Sequence, residues 1–275
     1  MARLESQAVT MKGNMPVMKG DRTPDLVVYS YPKTGRTWLR FLLANYLSLV
    51  YYGDRPVTLQ NVYEYVPNWD TNVHDRGMES YISVAGVPLV ALSHTPPTPV
   101  SQMPTEALLV RDPRDTIVSH WHHANHHYQN EPLNLEEFVL KFGPAAIYGH
   151  SLEVLSNGTD GLLVFSYEEM HASAVDVLVA LLSHACLDVN HEAVEVSVGR
   201  STFSRMQVVE ASYGIKNIDY DLSNPLARRV RRGVIGSHQD ELPTWAGELV
   251  KEVHSVQLPW LRDLYEKHTA IGYYG

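Results

Sequence analysis

The chain holds a single cysteine, Cys186, among its 275 residues. No intramolecular disulfide can form, so stability must come from a packed core, and such a composition fits a reducing compartment such as the cytoplasm. Long apolar runs are also lacking. The most apolar stretch, Trp38 to Tyr52, is interrupted by Arg40 and Asn45. A bilayer takes about 20 apolar residues, so this stretch reads as a buried helix rather than a membrane span. Residues 1–25 mix Met, Lys, Gly and Pro without an apolar centre, so no secretory signal is expected there. A surplus of positive charge is missing too: the net charge is −9. That counts against sequence-independent nucleic-acid binding. Neither a nucleic acid nor a membrane is expected as a partner, and an anionic ligand would have to be met by a local cluster of Lys and Arg.

What is present is an alternation of short β-branched runs and helical patterns. Residues 1–23 read as a disordered tail, followed by one domain over 24–275. Leu26 to Ser30 is expected as a buried strand, followed by a loop with Pro32 and Gly35. Trp38, Leu39, Leu42, Leu43, Tyr46 and Leu47 then recur at helical spacing. Further strands are expected at Leu89–Leu92, Ala107–Val110 and Leu162–Phe165. Helices are expected from Pro113, over Asn134–Phe142, around Val175–Leu182, and over Leu242–Tyr265 with a break at Pro259. Residues 51–88 read as long loops. Strands separated by helices imply an α/β fold: a single domain with a central parallel sheet flanked by helices. Ligands of such sheets bind beyond the carboxyl ends of the strands.

Polar clusters stand at those ends. Tyr31-Pro32-Lys33-Thr34-Gly35-Arg36-Thr37-Trp38 joins the first strand to the first helix. Gly35 permits a sharp turn and a close backbone approach to an anion, and the first-turn N–H groups have no partners within the helix. Thr34 and Thr37 add hydroxyl donors, and Lys33 adds a mobile charge. A Walker A loop has its lysine after the second glycine, whereas Lys33 precedes Gly35. After the third strand comes Arg111-Asp112-Pro113-Arg114-Asp115, with Ser119 eight residues past Arg111. Arg228-Arg229-Val230-Arg231-Arg232-Gly233-Val234-Ile235-Gly236 is a third basic segment.

These motifs resemble those of the sulfotransferases that use 3′-phosphoadenosine 5′-phosphosulfate (PAPS). Seven residues of the first octapeptide fit that family's Y-P-K-[ST]-G-[ST]-T-W loop. The departure is Arg36, where the family has a small hydroxyl residue; an added cation there either strengthens anion binding or reaches the acceptor. The resemblance implies a P-loop-like phosphosulfate-binding loop of Lys33, Thr34, Gly35, Arg36, Thr37 and Trp38. It further implies that Arg111 and Ser119 hold the 3′-phosphate, and that Arg231, Arg232 and Gly233 close over it. Tyr167, in Ser166-Tyr167-Glu168-Glu169-Met170, and Phe203, in Ser201-Thr202-Phe203-Ser204-Arg205-Met206, match segments whose aromatic rings meet adenine.

The implied reaction is in-line transfer of a sulfuryl group from PAPS to a hydroxyl or amine of a small-molecule acceptor, with 3′-phosphoadenosine 5′-phosphate (PAP) as product and no metal required. His94 in Leu92-Ser93-His94-Thr95-Pro96 matches the family's catalytic histidine and is the expected general base. Lys33 is expected to stabilise charge on the leaving oxygen. The family's lysine two residues before the histidine is Leu92 here. His120, His122, His123, His126 and His127 crowd the segment after Ser119. They are read as lining the acceptor pocket or as a solvated helix face, in preference to a metal site. Two other readings of the chain stand beside this one: a P-loop-type nucleotide kinase and a catalytically silent nucleotide-binding scaffold.

Overall fold

The computed structural model describes residues 22–70, 81–96, 105–127, 132–156, 161–216 and 220–272. The expected tail lies almost wholly outside the described residues. Four strands form one sheet: β1 (Leu26–Ser30), β2 (Val90–Ser93), β3 (Thr105–Val110) and β4 (Leu163–Ser166). Their order is β2-β1-β3-β4, and every pairing is parallel. β1 spans the expected residues, and the ends of the other three strands lie within two residues of the expected ones.

Alternation along the strands divides the core between two faces. Leu26 and Val28 of β1, with Ala107 and Leu109 of β3, join one cluster. That face is covered by α1 (Arg36–Tyr51), α6 (Ala174–His184) and α7 (His191–Arg200). Val27 and Tyr29, with Leu108 and Val110, join the other. The second face is covered by α2 (Pro113–His127), α3 (Leu135–Phe142), α4 (Pro144–Ser156), α9 (Thr244–Val256) and α10 (Pro259–His268). Short α5 (Tyr167–Ala172) follows β4 directly, and α8 (Phe203–Tyr213) follows α7.

Local chemistry sets several boundaries. Asn134 and Glu137 form a capping box that opens α3, and Ser166 and Glu169 form another that opens α5. The C-terminal helical stretch breaks where Pro259 starts a new helix, because proline lacks the N–H a continuing helix needs. At the start of α1 the N-cap is Gly35, which offers no side chain to the first-turn N–H groups. These donors are left for other partners.

The chain runs from β1 outward to β2, then crosses to β3 on the other side of β1. The crevice beyond the carboxyl ends of β1 and β3 is therefore a topological switch point. Ser30 and Leu109 are in register there, so the residues after them start from the same level. The segment before residue 71 adds to the opposite edge: Trp69 N–H donates to the Leu92 carbonyl at 2.9 Å, and Leu92 N–H to that of Pro67 at 3.1 Å. This carries Asp70 to the end of β2.

Candidate active site

A cavity of about 720 Å³ opens at the switch point. Its wall includes Lys33, Gly35, Arg36, Thr37, Trp38, His94, Arg111, Ser119, Tyr167, Phe203, Arg231, Arg232 and Gly233. Three basic segments far apart in sequence thus share one space. Thr34 differs. It is 1% exposed, and its hydroxyl donates to the Tyr31 carbonyl at 2.9 Å, so it stabilises the loop's own turn rather than facing the cavity.

The loop bends twice. Lys33 has φ +74° and Gly35 φ +110°. A side chain at Gly35 would also meet the Tyr167 ring, with a Cβ only 2.6 Å from Cδ2. Lys33 is desolvated by the cavity walls and faces Arg229 and Arg111, which together push its ammonium pKa down to about 7.

Arg111 ties the second motif to the first. Its Nη1 donates to the Lys33 carbonyl at 3.2 Å and its Nη2 to the Val234 carbonyl at 3.4 Å. Its guanidinium lies 4.1 Å from the centre of the Tyr167 ring. Asp115 stands one turn along, 3.6 Å from Nη2. The same carboxylate accepts from Gly236 N, Ser237 Oγ and His238 N, so it pins the closing segment against the site. Arg231 and Arg232 both pair with Glu241, which also holds His122.

Aromatic residues form the remaining wall. Trp38 meets Tyr167 edge-on at 5.6 Å and His171 at 4.9 Å. Phe203 opens α8 and packs against the bare backbone of Gly233, where a Cβ would stand 2.1 Å from its Cδ2.

His94 follows β2. Its Nδ1 lies 2.7 Å from the Ser30 carbonyl oxygen. A carbonyl only accepts, so Nδ1 carries the proton and Nε2 is left as the basic atom. Burial, then the charge of Arg36, hold the imidazole well below its ordinary pKa, so the ring is neutral at pH 7. Asp70 fixes its backbone: Oδ1 accepts from the N–H groups of His94 and Thr95 and from Ser93 Oγ, while Oδ2 lies 3.5 Å from Arg36 Nη1. Burial raises the carboxyl, but Arg36 and the donated N–H groups outweigh it and keep Asp70 ionised below the usual range.

Arg40, Tyr63 and His171 border the cavity without belonging to any sequence motif, and Arg229 and Met170 border it from within quoted segments in which they were given no role. Arg40 lies one turn after Arg36, stacks over Tyr63 at 4.4 Å and bonds Asn68. A charge on the buried face of an apolar helix was the one available signal. The histidines of α2 divide. His122 is bound to Glu241, His120 packs edge-on to Tyr31 and Phe138, and His123 borders the cavity with His127 beside it, their ring centres 4.4 Å apart. Among the described residues no group of three or more His, Cys, Asp or Glu is placed to hold a metal.

The donor set fits a nucleotide with phosphates at both ends. Arg111 Nε is buried without a hydrogen-bond partner among the described residues, and Gly35 and Gly233 let the backbone lie directly against the Tyr167 and Phe203 rings.

Comparison with known proteins places the fold. The sulfotransferase domain family model matches residues 23–264. A rabbit (Oryctolagus cuniculus) amine sulfotransferase is 28% identical over 236 residues, covering 78% of this chain and 74% of the relative. Cytosolic sulfotransferase 17 of Arabidopsis thaliana is 26% identical over 245 residues, covering 80% of this chain and 70% of the relative. The crystal structure of a mouse sulfotransferase complexed with PAP shares the fold, with a TM-score of 0.62 at 20% identity, covering 90% of each chain. The chain belongs to the sulfotransferase family, and its activity is PAPS-dependent sulfuryl transfer. Among the described residues no helix is long and apolar enough to cross a membrane.

Proposed function

We propose that the cavity moves a sulfuryl group from PAPS to a hydroxyl or amine of a small-molecule acceptor, with His94 as general base, in a cytoplasmic setting. The observation that carries this is the meeting of Lys33, Arg111 and His94, from the ends of three strands, around one space. When bound, PAPS supplies the activated sulfuryl group. Lys33, Gly35, Thr37 and Trp38, with the backbone N–H of Arg36, would hold its phosphosulfate end. Arg111, Ser119, Arg231, Arg232 and Gly233 would hold its 3′-phosphate, and Tyr167 and Phe203 would flank its base.

The chain's own chemistry follows. His94 accepts the acceptor's proton at Nε2 because Nδ1–H is committed to Ser30. Its low proton affinity keeps that lone pair available at neutral pH. Lys33, whose ammonium form a bound polyanion favours, holds positive charge beside the leaving phosphate as charge builds there. No metal is assigned a role.

Transfer of label from sulfur-labelled PAPS across a panel of alcohols, phenols and amines tests the reading. Expected is transfer to at least one acceptor class, abolished in His94→Ala while PAP binding persists. A His94→Ala protein that turns over at the wild-type rate removes the base assignment. PAP binding without transfer to any acceptor supports the scaffold reading instead.

A further inference from the structure

The cations of the cavity outnumber what the donor motifs use. Lys33, Arg111, Arg231 and Arg232 belong to the three motifs, yet Arg36, Arg40 and Arg229 border the same space. Among the described residues no Asp or Glu is part of the wall. Arg36 belongs to the donor loop by sequence, but its guanidinium turns toward Asp70, whose other oxygen grips the backbone of His94. It therefore stands on the side of the base. Asp70 compensates it incompletely: the contact is 3.5 Å, and the carboxylate also serves Ser93, His94 and Thr95.

Arg229 has less. Its Nε is buried without a hydrogen-bond partner, and its guanidinium forms no ion pair among the described residues. Glu210, the carboxylate that meets its backbone, is occupied by the N–H groups of Arg229 and Val230 and by the Tyr220 hydroxyl. The charge of Arg229 is felt across this end of the cavity, where it opposes protonation of Lys33, Arg36, His123 and His127. Tyr63 records the same field: burial raises its phenol, yet Arg40, Arg36 and Arg229 bring it below its ordinary value. Cations held out of water with too little counter-charge are costly unless a ligand supplies an anion. The flat fork of a guanidinium matches the paired oxygens of a carboxylate or phosphate.

We infer that the acceptor carries an anionic group, a carboxylate or phosphate, held in this cavity by Arg36 and Arg229. The inference rests on the sulfuryl-transfer reading of this cavity and adds the class of acceptor. A neutral acceptor leaves Arg36 with only the shared carboxylate of Asp70, and Arg229 without an ion pair among the described residues; an ammonium acceptor is repelled.

The test is calorimetric binding of three phenols to the PAP-saturated protein. The phenols share one ring and differ at the far end: 4-hydroxyphenylacetate, its primary amide, and tyramine. Expected is binding of the carboxylate at least about tenfold tighter than the amide, with tyramine weakest, as one charge-assisted contact provides. Arg229→Gln should erase most of that preference while the affinity for PAP changes by less than about threefold, well under the effect of a lost phosphate contact. The wild-type ranking needs no variant, so a poorly folding substitution leaves the inference open to refutation. Equal binding of carboxylate and amide by the wild-type protein overturns it. So does an Arg229→Gln protein that loses affinity for PAPS but not PAP with the phenol ranking intact, which would assign Arg229 to the transferring sulfuryl group. A wild-type protein that binds no PAP overturns the sulfuryl-transfer reading and this inference together, whereas PAP binding without the anion preference overturns this inference alone.

Discussion

The Nη1 of Arg111 donates to the main-chain carbonyl of Lys33 at 3.2 Å. One side chain from the end of β3 thus fixes the backbone of the loop that follows β1, and the same guanidinium reaches Val234 and stacks on Tyr167. Lysine keeps the charge but has no fork with which to make these contacts together. Arg111→Lys is expected to weaken PAP binding about 10- to 100-fold, the worth of one or two charge-assisted hydrogen bonds. Calorimetry checks this, and circular dichroism should show an unchanged fold.

Lys33 gives a dependence on pH. Its pKa is held near 7 in the free protein by burial, Arg229 and Arg111. A bound polyanion favours the ammonium, so the pKa rises on binding. Above pH 7 the free protein has lost that proton and must regain it when PAP binds. PAP affinity should therefore fall as pH rises past 7, by at most about tenfold per pH unit, with no such loss below 7. Calorimetry at pH 8 in buffers of different ionisation enthalpy should show proton uptake, and Lys33→Met should abolish it.

Gly233 has φ +62° and lies against the ring of Phe203. An alanine there is strained in backbone and collides with the ring at 2.1 Å. Gly233→Ala is expected to displace Phe203 and weaken PAP binding by about tenfold or more, while stability falls by about 1–2 kcal/mol. Binding and thermal melts on the same preparation separate the two effects.

Asp70 grips the backbone of His94, the proposed base. Asp70→Asn keeps an oxygen for the N–H groups of His94 and Thr95 but removes the charge that faces Arg36. Expected is a fall in kcat of about tenfold or more from misplacement of the base, with PAP affinity nearly unchanged. Equal losses in both would mean that the substitution disturbs the whole cavity.

The segments that meet at the cavity were legible in the sequence because each is contiguous. Lys33 to Trp38 and Arg111 to Ser119 each follow a β-branched strand, and strand ends in a parallel sheet face one edge. Leu26 to Ser30 was recognisable as a strand for the same reason. The acceptor half was not legible. Asp70 reaches His94 only because residues 67–69 run along β2, a pairing that leaves no local pattern. Arg229 reads as one more residue of a basic run until its burial is known. Thr34 carries the chemistry of an anion ligand, but its hydroxyl is taken by Tyr31. Helices α4, α7 and α8 were missed because polar residues interrupt their apolar faces, and α5 because six residues give no period.

The account depends on Lys33 and Arg111 gripping one nucleotide from two sides. Calorimetric titration of PAP and of ATP, in buffer free of magnesium, into the wild-type protein, Lys33→Ala and Arg111→Ala tests this most directly. Expected is PAP binding in preference to ATP by the wild-type protein, weakened in both variants. Wild-type PAP affinity in both variants, or tighter binding of ATP than of PAP by the wild-type protein, would contradict it.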